Sequence, residues 1–528
     1  MHFKHTLETD VLVVGSGGAG LCAAISAKNE GAHVLVVSKG RPGRANNTAI
    51  SGGAFAVSTG LRSKGDTKEL HLKDTLISGR YVNRRDMVET MIEGALDQTH
   101  NLVRYGVPLK KKGDQGFWIV HVPGHSAPRH VFSENSIGTD FTIPMSQYAQ
   151  NNSIDFLSGI FVERLLRGVN GDIAGAIVLS RQDQGPILIQ SKAVVLATGG
   201  AGQVYSQNDN APGTTGDGYS LAFRLGVPMI DMEFVQFYPT VLFESGLPRT
   251  LIGYEVFIFR GGAKLFNSRN EDIALLHGIV DPHSMTRDAL TIAIAKEIQK
   301  GRGVDEGVWL DLSTIPSEKL ERYQRFIPKS VKGRLRFVIS PAVHHCMGGL
   351  SVNNRGETGI EGLFAAGEVN GGVHGANRLG GNALTDIWVY GNLTGILAAQ
   401  YIKSKKYPVI EESFETMKNE IQHDMDNNGK FSIKTIQQEL RSFMWEKAGI
   451  VRTGQGLTEL VSDIHHLGEK LNQCNVGNWK ECIQKHETKN MLLTGEMIAR
   501  SALLREESRG SHFRDDFPDE GEMIGYKI

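Results

Sequence analysis

The sequence predicts an α/β protein: a discontinuous Rossmann-like domain, interrupted by an inserted domain and followed by a helical C-terminal one. Three observations predict it. A βαβ pattern opens the chain between Asp10 and Val37; buried-strand patterns ending in glycine return at 193–200 and again at 362–368; and beyond about residue 405 apolar spacing of helical period takes over.

Taken in order, Val11-Leu12-Val13-Val14 is a continuous apolar run suited to a parallel strand covered on both faces, Leu21 to Lys28 is helix-like, and Val34-Leu35-Val36-Val37 is a second strand. Between strand and helix, Gly15-Ser16-Gly17-Gly18-Ala19-Gly20 matches G-x-G-x-x-G in its required context. Glycine serves three needs there: a tight turn, close approach of backbone N–H groups to a pyrophosphate, and packing of helix on strand. The acidic residue that would bind an NAD ribose about 20 residues on is missing, because the second strand ends in Ser38-Lys39. That disfavours NAD and leaves FAD.

Ala193-Val194-Val195-Leu196-Ala197-Thr198-Gly199-Gly200 is a further buried strand with a glycine turn, and Gly362-Leu363-Phe364-Ala365-Ala366-Gly367-Glu368 repeats the pattern much later. The nucleotide domain therefore spans 1–222 and 340–404 around an insertion at 223–339, and 405–528 form the helical domain. In that last segment Ile433, Ile436, Leu440 and Phe443, then Leu457, Leu460, Val461, Ile464 and Leu467, each mark one helix face. Asp424 to Gly429 begins like a calcium loop, but its twelfth position is Thr435 where a bidentate Glu is required, so it reads as a polar turn.

Composition narrows the function. The 57 Lys plus Arg against 58 Asp plus Glu leave a net charge of −1, which gives no reason to expect nucleic acid or an acidic membrane as partner. Glycine, 62 of 528 residues, is roughly 12% against an average near 7%, yet the 16 prolines follow no collagen period. The four cysteines form no C-x-x-C pair, excluding an in-chain ferredoxin-type cluster or attached c-type haem, and read as reduced thiols of a cytoplasmic protein. The first residues, Met1 to His5, lack an apolar signal core, and no run approaches the roughly 18 apolar residues of a membrane helix. A soluble chain without direct membrane insertion and without a metal site is expected.

Four stretches then carry a family resemblance: the N-terminal glycine turn, Met232-Glu233-Phe234-Val235-Gln236-Phe237-Tyr238-Pro239-Thr240, Pro341 to Gly349, and Gly362 to Asn382, with a fifth at Glu507 to Arg514. Together they resemble the flavoproteins of succinate dehydrogenase, fumarate reductase and L-aspartate oxidase over nearly the whole chain. The resemblance implies a discontinuous FAD-binding domain, an inserted α+β capping domain that closes over the substrate, and the helical tail. It assigns the cofactor to Gly15, Gly17, Gly18, Ala19, Gly20, Ser38, Lys39, Gly52, Gly53, Thr198, Gly199, Gly200, Asp217, Glu368, Asn382, Ala383 and Leu384, with Glu368 on ribityl or ribose hydroxyls. In several members a histidine just before the second glycine pair is joined covalently to FAD. Here Ala45 to Gly53 contains none, so FAD is expected to be non-covalent, which tilts the reading toward reduction or toward oxidation by another acceptor.

The same resemblance implies the chemistry: reduction of the C=C bond of fumarate or a related unsaturated carboxylate, by hydride from flavin N5 and a proton from an arginine. Arg287 takes the place of that arginine acid, Glu255 its proton relay, Arg378 the carboxylate clamp and His344 a second polar ligand. An arginine normally stays protonated, so it needs a close partner that returns the proton. Two departures bear on the substrate. Tyr238-Pro239-Thr240 stands where the dicarboxylate enzymes have His-Pro-Thr, and the stretch from Glu255 to Arg260 is longer and more apolar than theirs. Two alternatives stay open: a flavin oxidase resembling L-aspartate oxidase, and an electron-transfer flavoprotein related to the α chain of adenylylsulfate reductase. Any iron–sulfur relay must come from a separate subunit, or electrons from a diffusible donor.

Overall fold

A computed structural model describes residues 6–58, 65–113, 116–181, 185–280, 285–425 and 429–522. Residues Met1 to His5, Ser284 and the centre of the rejected calcium loop lie outside the described residues. The first apolar runs do form parallel strands, Thr6–Val14 and Val34–Ser38, at the heart of a seven-stranded sheet. Strand Pro186–Leu196 pairs parallel to the other side of the first strand, and Leu363–Ala365 pairs parallel with Val194 to Leu196. Two antiparallel strands, Ile173–Ser180 and Ile160–Arg167, extend this edge. Segments more than 150 residues apart in sequence thus close one sheet, which makes the nucleotide domain discontinuous. Where these strands converge, Val11 to Val14, Val34 to Val37 and Ala193 to Leu196 are apolar and buried.

Helix Gly18–Asn29 lies directly against helix Asn382–Ile402. Their backbones meet closely: a Cβ at Gly391 or Gly395 would stand 2.5 or 2.2 Å from the carbonyl oxygens of Ala19 and Ala23. The helix that follows the glycine turn is thereby locked to the helix that follows Gly380-Gly381.

The inserted region builds a second, antiparallel sheet of four strands, in the order Val235–Leu242, Arg336–Cys346, Val308–Asp311, Lys264–Phe266. Helix Arg287–Glu297 packs on its first strand, and Tyr238, Phe257, Leu290, Ile294, Leu310, Phe337 and Ile339 fill a core separate from that of the nucleotide domain. This is the α+β cap. The C-terminal region is helical, with Ile433–Ala448, Gly454–Asn472 and Trp479–Leu504 packed on one another through the apolar positions read from the sequence. No helix among the described residues is long and apolar enough to cross a membrane.

The stretch Glu507 to Arg514 is an ion-paired knot. Arg505 bridges Glu233 and Glu507, Arg509 grips Glu507, and Arg452 contacts His512 Nδ1. Ser511 N–H donates to the Ala376 carbonyl at 2.9 Å, so the knot holds the loop that carries Arg378.

Candidate active site

The cofactor side of the site is made of backbone. Gly15 has φ +115°, and a Cβ there would lie 2.1 Å from Ala197 O; one at Gly20 would lie 1.9 Å from Gly15 O. Strand, turn and helix can approach this closely only because both positions lack a side chain. The Gly18 N–H donates to Thr48 Oγ1 at 3.1 Å, tying the turn to the short helix Asn47–Ile50, whose N-cap is the Asn46 side chain. A cleft of about 960 Å³, its open mouth included, is lined by Gly15, Gly17, Gly18, Ala19, Ser38, Lys39, Thr198, Gly199, Asp217 and Glu368. Its length of bare backbone and its size suit a dinucleotide.

The other cofactor residues expected from the sequence stand outside the lining of that cleft. Gly20 and Gly200 are packing positions, the latter with Glu368 2.3 Å from where its Cβ would be. Gly53 (φ +64°) lies against Ile137 N, and Gly52 beside it has open space. Asn382, Ala383 and Leu384 form the first turn of the helix after Gly381, with the Asn382 amide held by Thr75 and His71. Lys39 and Asp217 do line the cleft, but they bind each other at 2.6 Å, with Glu487 as a second carboxylate on Lys39. Strand-end Lys39 is therefore spent within the protein, which accounts for a lysine where an NAD site would carry an acid.

Glu368 is almost fully buried. Its carboxylate accepts from Cys346 N–H at 3.0 Å and from the Asn47 amide at 3.3 Å, with His345 Nδ1 at 3.5 Å. Burial pushes its pKa up to about 7, against the pull of those donors. Sequence reasoning assigned no role to Asn47, yet it ties Glu368, Asn210 and the Ala211 N–H together. Nothing in the sequence around Asn47 marks that role.

On the cap side, side chains make the site. Strand Val235–Leu242 supplies Gln236 and Tyr238, and helix Arg287–Glu297 begins at Arg287. A cation at a helix N-terminus opposes the dipole there, so it needs partners. Arg287 Nη1 donates to Gln236 Oε1 at 2.9 Å, Nη2 donates to Glu255 Oε1 at 3.0 Å, and the guanidinium lies 5.0 Å from the centre of the Tyr238 ring. Burial lowers the Arg287 pKa, but the Glu255 charge and the phenols of Tyr254 and Tyr238 outweigh it, and the net direction is up. Glu255 opens a six-residue π-helix, Glu255–Arg260, whose wide turn absorbs the lengthened, apolar stretch seen in the sequence.

Arg378 is different. It is 5% exposed, and its Nε is buried without a partner among the described residues. The one hydrogen bond its guanidinium makes among those residues is a long 3.5 Å contact to Leu379 O. Burial, and then the charge of Arg287, lower its pKa to about 9, leaving it a cation at neutral pH without a counter-ion bound to it. A buried charge of this kind is costly unless something anionic comes to it. Gln236 holds its backbone, Nε2 donating to Arg378 O at 3.0 Å and also to Asn377 Oδ1 at 2.8 Å. His344 packs on Tyr238 with ring centres 5.2 Å apart, and its Nδ1 meets Asp209 Oδ2 at 2.8 Å. Burial lowers its pKa against the pull of Asp209, so the ring is neutral. The structure thus brings Arg287, Glu255, Tyr238, His344 and Arg378 into one cluster, and adds Gln236, Tyr254 and Asp209, which sequence reasoning did not single out. Gln236 and Tyr254 lie within motifs already quoted; Asp209 sits in a loop with no pattern to mark it. Among the described residues no group of three or more His, Cys, Asp or Glu could hold a metal.

A glycine-lined dinucleotide cleft facing a cluster of arginines under a cap defines a flavin-dependent oxidoreductase. The profile of an FAD binding domain matches residues 10–384, and that of the fumarate reductase flavoprotein C-terminal region matches 437–523. A flavoprotein of Methanothermobacter marburgensis, named as a subunit of its fumarate reductase (CoM/CoB), is 33% identical, over 97% of this chain and 95% of its own length. L-Aspartate oxidase of Pseudomonas aeruginosa is 31% identical over 98% and 96%. Among solved structures, the E. coli quinol fumarate reductase chain FrdA superposes with a TM-score of 0.88 at 28% identity, covering 98% of this chain and 93% of that one. The chain belongs to the fumarate reductase and succinate dehydrogenase flavoprotein family, and is an FAD-dependent oxidoreductase. An adenosine phosphosulfate reductase structure at 18% identity, with a TM-score of 0.80, shares the fold.

Proposed function

We propose that this protein reduces the C=C bond of an α,β-unsaturated carboxylate, fumarate or a related acid. The observation that carries the reading is Arg287, held by Glu255 and Gln236 beside the partnerless guanidinium of Arg378. Bound FAD supplies the hydride for one alkene carbon. Arg378 takes the substrate carboxylate in its guanidinium fork, which also draws electron density from the double bond. His344, fixed by Asp209, is the second polar contact. Arg287 gives the proton to the other carbon. Glu255, in hydrogen-bond contact with Arg287 and part-exposed, returns a proton to it from water.

Purified, FAD-loaded protein supplied with reduced methyl viologen oxidises the dye when the right enoate is added. Arg287→Ala keeps its flavin and loses about 10²–10⁴ in rate; wild-type turnover in that variant would sink the mechanism. The similarity to L-aspartate oxidase supports a second reading, an oxidase that releases peroxide from L-aspartate under air.

The remaining features follow the same reading. FAD is held non-covalently, since Ala45 to Gly53 offers no histidine, and acid precipitation should release it. The units divide at about residues 222, 339 and 404. Electrons come from a separate iron–sulfur subunit or a diffusible donor; the relative from Methanothermobacter is itself one chain of a larger enzyme by its name. The four cysteine thiols, all buried, suit a reducing cytoplasm.

A further inference from the structure

The cleft contains an asymmetry of charge that bears on which acid it takes. At one end Arg378 is a buried cation with no bound counter-ion. At the other end the phenol and the carboxylate are already bound to each other. The Tyr238 hydroxyl donates its single proton to Glu255 Oε2 at 2.5 Å and accepts the Tyr254 N–H at 3.1 Å. Desolvation and the Glu255 charge raise the Tyr238 pKa, so the ring stays a neutral phenol. A hydroxyl in this state has one lone pair left and no proton to give. A carboxylate arriving there would meet an oxygen lone pair and, beside it, the carboxylate of Glu255. Arg287 keeps N–H groups beyond the ones it gives to Gln236 and Glu255, but its charge is already paired with the Glu255 carboxylate. The rest of that end is carbon: the rings of Tyr238 and Tyr254, 5.6 Å apart, backed by Ile252 and Phe257.

The pairing of charges agrees. Arg287 is ion-paired with Glu255 and Asp209 has its hydrogen bond to His344, whereas Arg378 is the cation of the cluster with no carboxylate in contact among the described residues. A first carboxylate gains a charge-assisted fork. A second would be desolvated beside the Glu255 carboxylate with no unpaired cation to meet it, which costs more than it returns.

We propose that the substrate is an α,β-unsaturated monocarboxylate, anchored through its one carboxylate on Arg378, with an uncharged far end against Tyr238 and Tyr254. The inference rests on the reductase reading above. The overall change is enoate plus hydride plus proton to the saturated acid, with reduced viologen restoring the hydride donor in the assay.

The test measures reduction of acrylate, crotonate, trans-cinnamate and fumarate by the FAD-loaded full chain with reduced methyl viologen. In parallel, the flavin absorbance shift is titrated with butyrate, 3-phenylpropionate and succinate. At least one monocarboxylate should exceed fumarate in kcat/KM by about tenfold or more, the scale of one lost charged hydrogen bond, and its saturated analogue should bind more tightly than succinate. Tyr238→His, which can place an N–H or a cation at the far end, should shift the ratio toward fumarate by about tenfold, whereas Tyr238→Phe should leave fumarate disfavoured. Fumarate reduced as efficiently as every monocarboxylate, or succinate bound as tightly as the monoacids, would overturn the inference and leave the reductase reading intact. If no enoate is reduced while the monoacids still bind in preference to succinate, the reductase reading falls and the one-carboxylate site stands.

Discussion

The two walls of the catalytic cleft are built on opposite principles. The cofactor wall is backbone: Gly15 and Gly20 let strand, turn and helix touch within about 2 Å of where a side chain would be. The cap wall is side chains: Gln236, Tyr238, Glu255 and Arg287 come from three separate elements and exist as a site only through their mutual hydrogen bonds. At Gly15 and Gly20 the backbone wall tolerates no added atoms. A side-chain wall can be re-specified residue by residue while the fold stands, as the π-helix at Glu255 shows by absorbing extra chain without disturbing the four-stranded sheet.

The largest effect should come from breaking the backbone wall. Gly20→Val places atoms where Gly15 O already stands, and strand and helix cannot separate because Gly391 and Gly395 pin that helix from behind. We expect loss of FAD and a destabilisation beyond about 4 kcal/mol, read as loss of bound flavin absorbance and a fall in the thermal midpoint. Flavin retained at wild-type stoichiometry would show the wall to be softer than its geometry.

An intermediate effect should come from Glu368, the carboxylate where the two walls meet. Its pKa is raised from 4.5 to about 7 by burial. Between those values the folded protein holds a proton that the unfolded chain has released, so stability falls as pH rises from about 4.5 to about 7 and levels off above. The full span corresponds to the order of 3 kcal/mol. Glu368→Gln removes the titration, so denaturant unfolding of the flavin-free protein should lose this slope and the variant should gain stability over wild type at pH 8. An unchanged slope would assign the pH dependence elsewhere, with Asp231, buried and raised to about 7, the next group to test.

The same contrast explains what the sequence made legible. Parallel strands, the glycine turn and the helical tail are local patterns, and each formed where its periodicity placed it. Gly15 and Gly20 could be assigned from spacing because a backbone site is a property of consecutive residues. Arg287, Glu255 and Arg378 emerged only through family resemblance, since nothing within ten residues of any of them states which partners the fold will bring. Asp209 was invisible for that reason: its importance lies wholly in His344, 135 positions away. Lys39 and Asp217, both read as cofactor residues, line the cleft and also hold one another, a pairing across 178 positions that no local pattern announces.

The smallest effect should come from Asp209, and it separates orientation from charge on the cap wall. Asp209 Oδ2 lies 2.8 Å from His344 Nδ1, which keeps the proton on that nitrogen and turns the ring so that Tyr238 packs against it. Burial lowers the His344 pKa, and Asp209 is the main force opposing that fall. Asp209→Asn keeps the shape but removes the charge, so the His344 pKa should drop further. The amide can also turn its NH₂ toward Nδ1 and move the proton to Nε2. Since the neutral ring is a weak anion ligand in either state, we expect kcat/KM for the enoate to fall about tenfold, mostly in KM, with flavin content and thermal midpoint close to wild type. Asp209→Glu should recover part of the loss. A fall in kcat at unchanged KM would instead place His344 in the proton-transfer step beside Arg287 and Glu255.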